Sequence, residues 1–390
     1  MTSADLQTRL QQRLAQRVEL GLKRTLVSCA PDSEGFVSRL GQRAIDFSSN
    51  DYLGLRSNND IKAEFARAAG LYGLGAGASH LLGGHHPEHV RLEQALCDWT
   101  GRPAAALFSS GFQAALGAFG ALAEPQDLVI ADRLAHACLL DGARYAGAKL
   151  RRFAHNDLAS ADSLLNSEAR TGLRWLVSES VFSMDGDQAP VRALSDLAGQ
   201  SGATLMLDEA HAIGVQGPNG AGLARAAGLD TQSCPVLMLT FGKALGSAGA
   251  AILGSPEVIE SIINFSRPWI YTTAMPPALA AATSKAVEIA RGGDALRAQL
   301  SENITRFRAQ AMAAGLAITA SQTAIQPILF GAKDVMATSH KLMQVGFYVP
   351  AVRPPTVPKG SARLRVSLRA NHTAAQIDAL VNALAKAAHD

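Results

Sequence analysis

The sequence predicts an α/β protein with a large domain on a mostly parallel sheet and a smaller α+β domain at the C-terminal end. Seven short apolar runs between residues 105 and 254 are separated by segments that are rich in alanine and leucine and have helical spacing. Continuous apolar strands that alternate with helices are typical of a parallel sheet covered on both faces. After about residue 290 the pattern changes to one long helical segment followed by three strand candidates and a closing helix.

The N-terminal segment, residues 4–24, carries apolar side chains at every fourth position, which predicts an amphipathic helix. These side chains are Leu6, Leu10, Leu14 and Val18. Helical patterns such as 111–123 and 191–202 lie between the strand candidates of the main sheet. Those candidates cover residues 105–108, 127–132, 150–154, 174–180, 203–209, 235–241 and 249–254.

The C-terminal part begins with a predicted helix over residues 294–314. The remaining candidates are strands over 324–330, 347–352 and 362–368 and a helix over 373–389. We therefore expect an N-terminal helix and short strand segment at 1–45, a large domain at 46–290 and a small domain at 291–390. No low-complexity linker separates the domains, so we expect them to share a broad interface.

Composition excludes several classes of function. The chain has 36 Lys and Arg against 33 Asp and Glu, and this net charge of +3 favours neither nucleic acid nor an anionic membrane. No apolar run of about 18 residues predicts a membrane span, and the charged N-terminus does not resemble a signal peptide. The four cysteines lack CxxC spacing, which predicts reduced thiols rather than disulfides or a zinc site. We expect a cytoplasmic protein.

Ligands of parallel sheets bind beyond the carboxyl ends of the strands, so polar residues that follow the apolar runs are the first candidates for a site. Four such ends stand out: FSSGF (108–112), ESVFSMDGD (179–187), LDEAH (207–211) and LTFGK (239–243). FSSGF also opens a helix, whose free N–H groups suit a phosphate, although an ordinary strand-to-helix turn would look the same.

Three other sequence motifs are weaker evidence for a functional site. LDEAH resembles the Walker B segment of a helicase, but the phosphate loop that a helicase needs is missing, because Lys243 is followed by Ala244. GLGAGA (73–78) is a partial dinucleotide fingerprint that does not follow a strand. HHPEH (85–89) has three histidines but no spaced acidic or cysteine partner, so we predict no metal.

Lys243 lies among small and apolar neighbours at the end of a predicted buried strand. Taken alone, such a lysine is more often one whose stem lines a surface while its amine reaches water. Desolvation would instead lower the pKa of the amine and make it a nucleophile. A helix-terminal phosphate site, Asp208 and Lys243 at one sheet edge are the parts that pyridoxal phosphate needs: N–H donors, a carboxylate for the pyridinium and an amine for the aldehyde.

Several motifs, in one order along nearly the whole chain, resemble those of the α-oxoamine synthase family. The matching segments are 47–55, 108–114, 131–143, 182–190, 207–222 and 240–250. The resemblance implies an aspartate aminotransferase-like, fold-type I enzyme that depends on pyridoxal phosphate.

The resemblance also implies roles around the cofactor ring. Lys243 would hold the cofactor covalently and then act as acid and base at the substrate Cα. Asp208 would pair with the pyridine nitrogen, and His136 would stack on the ring. Ser183 and His211 match positions that hydrogen-bond the phenolic oxygen.

On the phosphate side, Gly111, Phe112 and Thr240 match family contacts. Thr272 or Thr273 would reach the phosphate from a second subunit, so the resemblance implies a homodimer with the active site between two chains.

The substrate side is implied in the same way. Arg365, with Arg353, would hold the carboxylate of the amino acid, although Arg353 could simply pin a proline-rich loop. Asn50 and Arg24 match positions near the substrate, Arg24 toward the far carboxylate of the acyl chain. Without the resemblance, Arg24 would be interpreted as a solvated helix residue.

Three local features, TFGK, IYTTAMPP (270–277) and VRPPTVPKGSARLRVSL (352–368), favour the members that condense L-alanine with a pimeloyl thioester. The acyl group would arrive as pimeloyl-CoA or as pimeloyl-acyl carrier protein. Two alternatives stay open: a sister enzyme that uses glycine and another acyl-CoA, such as 2-amino-3-ketobutyrate CoA ligase, and a protein of this fold without catalysis.

Overall fold

The computed structural model describes residues 3–32, 34–167, 172–330, 335–354, 356–358 and 360–389. At its centre lies a seven-stranded sheet with the order β4-β10-β9-β8-β7-β5-β6. All neighbours are parallel except β10, which runs antiparallel to both β4 and β9. The mostly parallel sheet predicted from the sequence is confirmed.

The N-terminal segment forms a helix and three strands: α1 (Ser3–Glu19), β1 (Cys29–Pro31), β2 (Phe36–Arg39) and β3 (Gln42–Asp46). The helix ends before residue 24, the predicted end, because Gly21 adopts a positive φ of 63° and the chain turns away. Leu6, Leu10, Leu14 and Val18 leave its apolar face about half exposed.

The central strands are β4 (Ala104–Phe108), β5 (Leu128–Asp132), β6 (Lys149–Phe153), β7 (Arg174–Glu179), β8 (Thr204–Asp208), β9 (Val236–Thr240) and β10 (Ala250–Gly254). The helices around them are α2 (Asn59–Tyr72), α3 (Pro87–Thr100), α4 (Gly111–Leu122), α5 (Ala137–Tyr145), α6 (Leu158–Asn166), α7 (Val191–Ser201), α8 (Leu223–Ala226), α9 (Pro256–Phe265), α10 (Arg267–Ile270) and α11 (Pro277–Arg291). Short 3-10 turns cover Leu55–Ser57, His80–Leu82 and Pro218–Gly220.

The C-terminal elements are α12 (Asp294–Ala313), β11 (Ile325–Leu329), α13 (Val335–Gln344), β12 (Phe347–Tyr348), β13 (Ala351–Val352), β14 (Arg363–Ser367) and α14 (Ala374–His389). β11, β14 and β13 form one small antiparallel sheet. β12 instead pairs in parallel with β3 and completes the sheet of the N-terminal strands.

The single strand predicted over residues 347–352 is therefore wrong. Val349 and Pro350 separate two strands that belong to different sheets, and proline has no N–H with which to continue a ladder. The carbonyl of Pro350 accepts a hydrogen bond from the Arg365 N–H instead (3.0 Å). In the neighbouring motif 352–368, Pro355 and Lys359 lie outside the described residues.

Apolar side chains on both faces of the central sheet form the core. Along β8, Leu205 and Leu207 belong to one buried cluster, while Met206 between them belongs to a second cluster on the opposite face. Successive side chains of a strand point to opposite faces, so both faces of β8 are covered. Among the described helices, none is long and apolar enough to cross a membrane.

An ion-paired histidine lies at the edge of this sheet. His155 Nδ1 contacts Asp132 Oδ1 (2.9 Å) and Nε2 contacts Asp187 Oδ2 (2.7 Å). Burial lowers the pKa of His155, but its hydrogen bonds and ion pairs with both carboxylates outweigh burial and raise this pKa to about 10.

Because the pKa of His155 in the folded state exceeds the unfolded value of about 6.5, the cluster stabilises the fold fully below pH 6.5 and loses this effect as the pH rises toward 10. We expect His155→Gln to lower the unfolding free energy at pH 6 by on the order of 1 kcal/mol, since solvent partly screens the pair. Denaturation of both proteins from pH 6 to pH 10 measures the difference, which should shrink as the pH rises. A difference that stays constant over this range would contradict the assignment.

Candidate active site

Polar residues at the carboxyl ends of β4, β7, β8 and β9 surround one cavity of about 500 Å³. Its lining includes ten of the side chains and backbone positions that the sequence singled out: Asn50, Gly111, Phe112, His136, Ser183, Asp208, His211, Thr240, Lys243 and Arg365. They come from parts of the chain as distant as residues 50 and 365, and the strand order brings them to one sheet edge.

Lys243 follows β9 in a tight loop whose shape depends on glycine. Gly246 has a φ of +60°, and an added Cβ would lie 2.3 Å from the backbone nitrogen of Arg56, so no larger residue fits there. Lys243 Nζ donates a hydrogen bond to Thr240 Oγ1 (3.3 Å). Burial lowers the pKa of the Lys243 amine, while the nearby carboxylates of Asp208 and Glu179 act in the opposite direction.

Asp208 is the last residue of β8 and is 3% exposed. Its Oδ1 accepts a hydrogen bond from the backbone N–H of Ala210 (2.8 Å). Burial raises the pKa of the Asp208 carboxyl, and the charge of Lys243 and the Ala210 N–H oppose that rise. Any cation in the cavity would favour its ionised form in the same way.

Two imidazoles border the cavity, and each has one ring nitrogen engaged by the protein. His136 is the N-cap of α5, and its Nδ1 accepts a hydrogen bond from the Cys138 N–H (3.3 Å). His211 Nδ1 lies 2.7 Å from the hydroxyl of Tyr52. Burial lowers the pKa of both histidines, so both rings are neutral at pH 7.

The first turn of α4 offers an anion site at the same cavity. Ser110 caps the helix by accepting the N–H of Gln113 (3.2 Å), while the N–H groups of Gly111 and Phe112 have no partner among the described residues. An added Cβ at Gly111 would lie 2.7 Å from the Thr240 methyl group, so glycine allows this close approach. Free N–H groups at the positive end of a helix bind phosphate well.

Arg365, in the middle of β14, presents a cation that is 6% exposed and has no ion pair within the described ranges. Its Nη1 donates hydrogen bonds to Asn50 Oδ1 (2.9 Å) and Ser367 Oγ (2.7 Å). Its Nε donates to the carbonyl of Ser183 (2.7 Å). A guanidinium held by neutral acceptors only is suited to a carboxylate that enters from outside.

Four predicted residues lie outside this cavity. Arg24 is exposed beyond the end of α1, and Thr272 and Thr273 follow α10. Arg353 follows β13, where its carbonyl accepts the N–H of Thr356 (3.1 Å). Their roles stay predictions, and those of the two threonines depend on a second chain.

Sequence reasoning missed two buried residues of the site. Glu179 ends β7 and lines the cavity, and Tyr52 contacts His211 beside it. Glu179 begins the segment ESVFSMDGD (179–187), and Tyr52 lies within the family-like segment 47–55. The position of Glu179 at a strand end was an available signal, whereas nothing in the sequence indicated the contact of Tyr52.

Three histidines lie together near α3, although we predicted no metal there. The ligand atoms of His80, His85 and His89 are all within 4.8 Å of one another. His89 is already engaged at both nitrogens: Nδ1 accepts the His86 N–H (2.9 Å) and Nε2 lies 2.8 Å from the carbonyl of Met275. A metal bound at His89 would break one of these hydrogen bonds.

Comparison with known proteins agrees with this geometry. The model of the family "aminotransferase class I and II" matches residues 42–384. The 8-amino-7-oxononanoate synthase of Pseudomonas entomophila (strain L48) is 48% identical, over 98% of this chain and 97% of its own length. The enzyme of the same name from Alkalilimnicola ehrlichii is 47% identical and covers 98% of both chains.

Solved structures with a similar fold support the same family assignment. A serine palmitoyltransferase from S. paucimobilis, solved with a pyridoxal phosphate–myriocin adduct, has a TM-score of 0.92 at 28% identity and covers 100% of this chain and 99% of its own. The 8-amino-7-oxononanoate synthase of Francisella tularensis has a TM-score of 0.77 at 29% identity, over 88% and 97%. The predicted fold type and cofactor are confirmed. The chain belongs to the aminotransferase class I and II family of pyridoxal phosphate enzymes and, within it, to the 8-amino-7-oxononanoate synthases.

Proposed function

We propose that this chain condenses L-alanine with a pimeloyl thioester and releases 8-amino-7-oxononanoate, CO₂ and a free thiol, a step of biotin biosynthesis. The observation that carries the proposal is the meeting of Lys243, Asp208 and the first turn of α4 at one cavity. The names of the relatives support the choice of product.

The cavity fits pyridoxal phosphate by the chemistry of its groups. The N–H groups of Gly111 and Phe112 and the hydroxyl of Thr240 would hold the phosphate, and Asp208 would hold the protonated pyridine nitrogen. His136 would stack on the ring, and Ser183 and His211 would contact the phenolic oxygen. When bound, the cofactor supplies an electron-accepting ring that stabilises negative charge at the Cα of the amino acid.

Lys243 would move the proton at that Cα. Burial lowers the pKa of its amine, so a larger fraction of the amine is neutral and able to accept a proton near pH 7 than for an exposed lysine. The same amine would return a proton to Cα after CO₂ has left. Lys243 lies in the tight loop after β9, and its amine donates a hydrogen bond to Thr240 Oγ1. This contact places the amine on the same side of the cavity as Thr240.

The amino-acid carboxylate would pair with Arg365, the buried guanidinium without an ion pair in the described part of the chain. Asn50 orients Arg365 and lines the cavity beside it. We assign Arg353 and Arg24 to the outer part of the substrate site, Arg24 toward the far carboxylate of the pimeloyl group.

In the reaction, a bond forms between the alanine Cα and the thioester carbonyl carbon, and the carbon–sulfur bond breaks as the thiol leaves. The former alanine carboxylate then departs as CO₂, and Cα takes up a proton. An aminotransferase shares the first proton transfer but does not attack a thioester, so release of thiol separates the two reactions.

We further propose that the active site is completed in a cytoplasmic homodimer. Thr272 and Thr273 lie outside the cavity of their own chain, which is compatible with a contact to the phosphate in a second copy. The exposed apolar face of α1 is a second surface that a partner copy would cover.

Purified protein loaded with pyridoxal phosphate should release thiol from pimeloyl-CoA only when L-alanine is present, with a product of the mass of 8-amino-7-oxononanoate. Glycine with acetyl-CoA is the matched control and should be slower by at least about tenfold, a difference of about 1.4 kcal/mol. Faster turnover of the glycine pair would favour the sister enzymes, and cofactor binding without release of thiol from either the CoA or the carrier-protein donor would favour a protein without catalysis.

A further inference from the structure

Glu179 lies directly beside Asp208 in the sheet, yet none of the roles assigned above uses it. It is the last residue of β7, and the parallel register pairs it with Asp208, the last residue of β8. Glu179 is 2% exposed and lines the cavity. Two carboxyl groups therefore stand next to each other at the buried edge of the sheet.

The two oxygens of the Glu179 carboxyl have different surroundings. The backbone N–H groups of His136 and Ser183 are near the carboxyl and favour its charged form, whereas Oε1 is buried without a hydrogen-bond partner among the described residues. A buried anion with an unpartnered oxygen is much more costly than a neutral carboxyl in the same place. The nearby N–H groups of His136 and Ser183 account for a polar residue at position 179. The unpartnered Oε1 argues that the Glu179 carboxyl is uncharged.

The charged groups around Glu179 support the same conclusion. Asp208 on β8 faces Glu179, and Lys243 after β9 is the nearby cation. His136 at the N-cap of α5, Cys138 within α5 and Tyr52 also face it. Burial and then Asp208 raise the pKa of Glu179 well above its ordinary value, against the effect of Lys243. Adjacent carboxylates do not both ionise when one cation serves them, and Lys243 interacts more strongly with Asp208 than with Glu179, so the negative charge stays on Asp208.

We propose that Glu179 is a positioning residue that stays protonated beside Asp208, leaves the negative charge on Asp208, and fixes the backbone at His136 and Ser183 through its carboxyl group. It acts through three neighbours of the cofactor and touches no reacting atom. The effect on turnover rests on the proposed function, but the protonation state is a property of the protein without cofactor.

The first test uses the cofactor-free protein and the variant Glu179→Gln, which keeps the shape of a neutral carboxyl. Since the pKa of Glu179 is higher in the folded state than the value of about 4.3 in the unfolded chain, folding binds a proton, and wild type loses stability as the pH rises above 4.3. The melting temperature of Glu179→Gln should exceed that of wild type by about 2 °C or more at pH 8 and match it near pH 4.5.

A variant less stable than wild type at pH 8 would overturn the proposal, because it would mean that Glu179 is an anion paired with Lys243. Glu209→Gln is the matched control. Glu209 is equally buried one residue after Asp208, but its oxygens accept hydrogen bonds from Ser180 Oγ (2.8 Å) and the N–H groups of Leu223 (3.0 Å) and Ala224 (2.7 Å). Burial raises the pKa of Glu209 as well, to about 7, but an amide there would present an NH₂ to these donors. We expect the lost hydrogen bonds to outweigh the pH effect, so this variant should melt below wild type at pH 8.

The second test separates position from charge in the loaded enzyme. Glu179→Leu removes the acceptor for His136 and Ser183, and we expect kcat/KM to fall by more than about tenfold. Glu179→Gln should recover most of that loss. Equal losses in both variants would overturn the positioning role, and absence of thiol release in wild type would refute the proposed function while leaving the melting result valid.

Discussion

Replacement of Lys243 by alanine is expected to reduce turnover by about 10⁴-fold or more, because one amine is removed from two tasks, covalent attachment of the cofactor and proton transfer at Cα. Lys243 is the lysine that lines the cavity in the described part of the chain, and burial lowers the pKa of its amine. The loaded wild-type protein should be yellow, and the visible absorption band should be lost in the variant.

Borohydride reduction followed by peptide mapping gives a direct measurement, since it should fix the cofactor on the peptide that contains Lys243. Lys285→Ala is the matched control: this lysine lies on the outer side of α11 and pairs with Glu288 at 2.7 Å. It should keep the band and the labelled peptide. A cofactor that remains attached in Lys243→Ala would contradict the role assigned to Lys243.

The sequence predicted the central sheet well because its inner strands are buried on both faces. The run 203–209 contains the observed strand Thr204–Asp208 and exceeds it by one residue at each end, and the bounds of all seven predicted strands lie within one residue of the observed bounds. The direction of β10 was not predictable, because parallel and antiparallel neighbours bury the same side chains. The division at Pro350 depends on which sheet each half joins, and a short apolar run does not contain that information.

The residues of the candidate site also fall into those that the sequence predicted and those that only the fold reveals. Asp208 and Lys243 follow apolar strands, so the rule that ligands bind at strand ends was enough to bring them together before the fold was known. Glu179 obeys the same rule, but its importance depends on the register that pairs it with Asp208. Tyr52 approaches His211 across 159 residues of sequence, a contact that only the folded chain reveals.

Replacement of Asp208 by asparagine is expected to lower kcat by about 10²- to 10³-fold, the effect of removing one preorganised electrostatic contact from a buried site. An amide has nearly the shape of the carboxylate but has no charge to keep the pyridine nitrogen protonated, so the ring would accept electrons less well. The hydrogen bond from the Ala210 N–H can be kept by the amide oxygen, and the fold should survive the change. Glu179, which we infer to be neutral, would not replace the lost charge.

The measurement is turnover per bound cofactor, with the absorption spectrum followed from pH 6 to pH 9. Asp132→Asn is the matched control: Asp132 is also the last residue of a central strand and is 0% exposed, but it contacts His155 and the N–H of Leu134 (2.7 Å) outside the cavity. That variant should lose stability and keep its turnover per cofactor, whereas Asp208→Asn should show the reverse. If both variants lost turnover in proportion to their stability, the carboxylate of Asp208 would have a structural role only, and the electron-accepting state of the ring would need another source of charge.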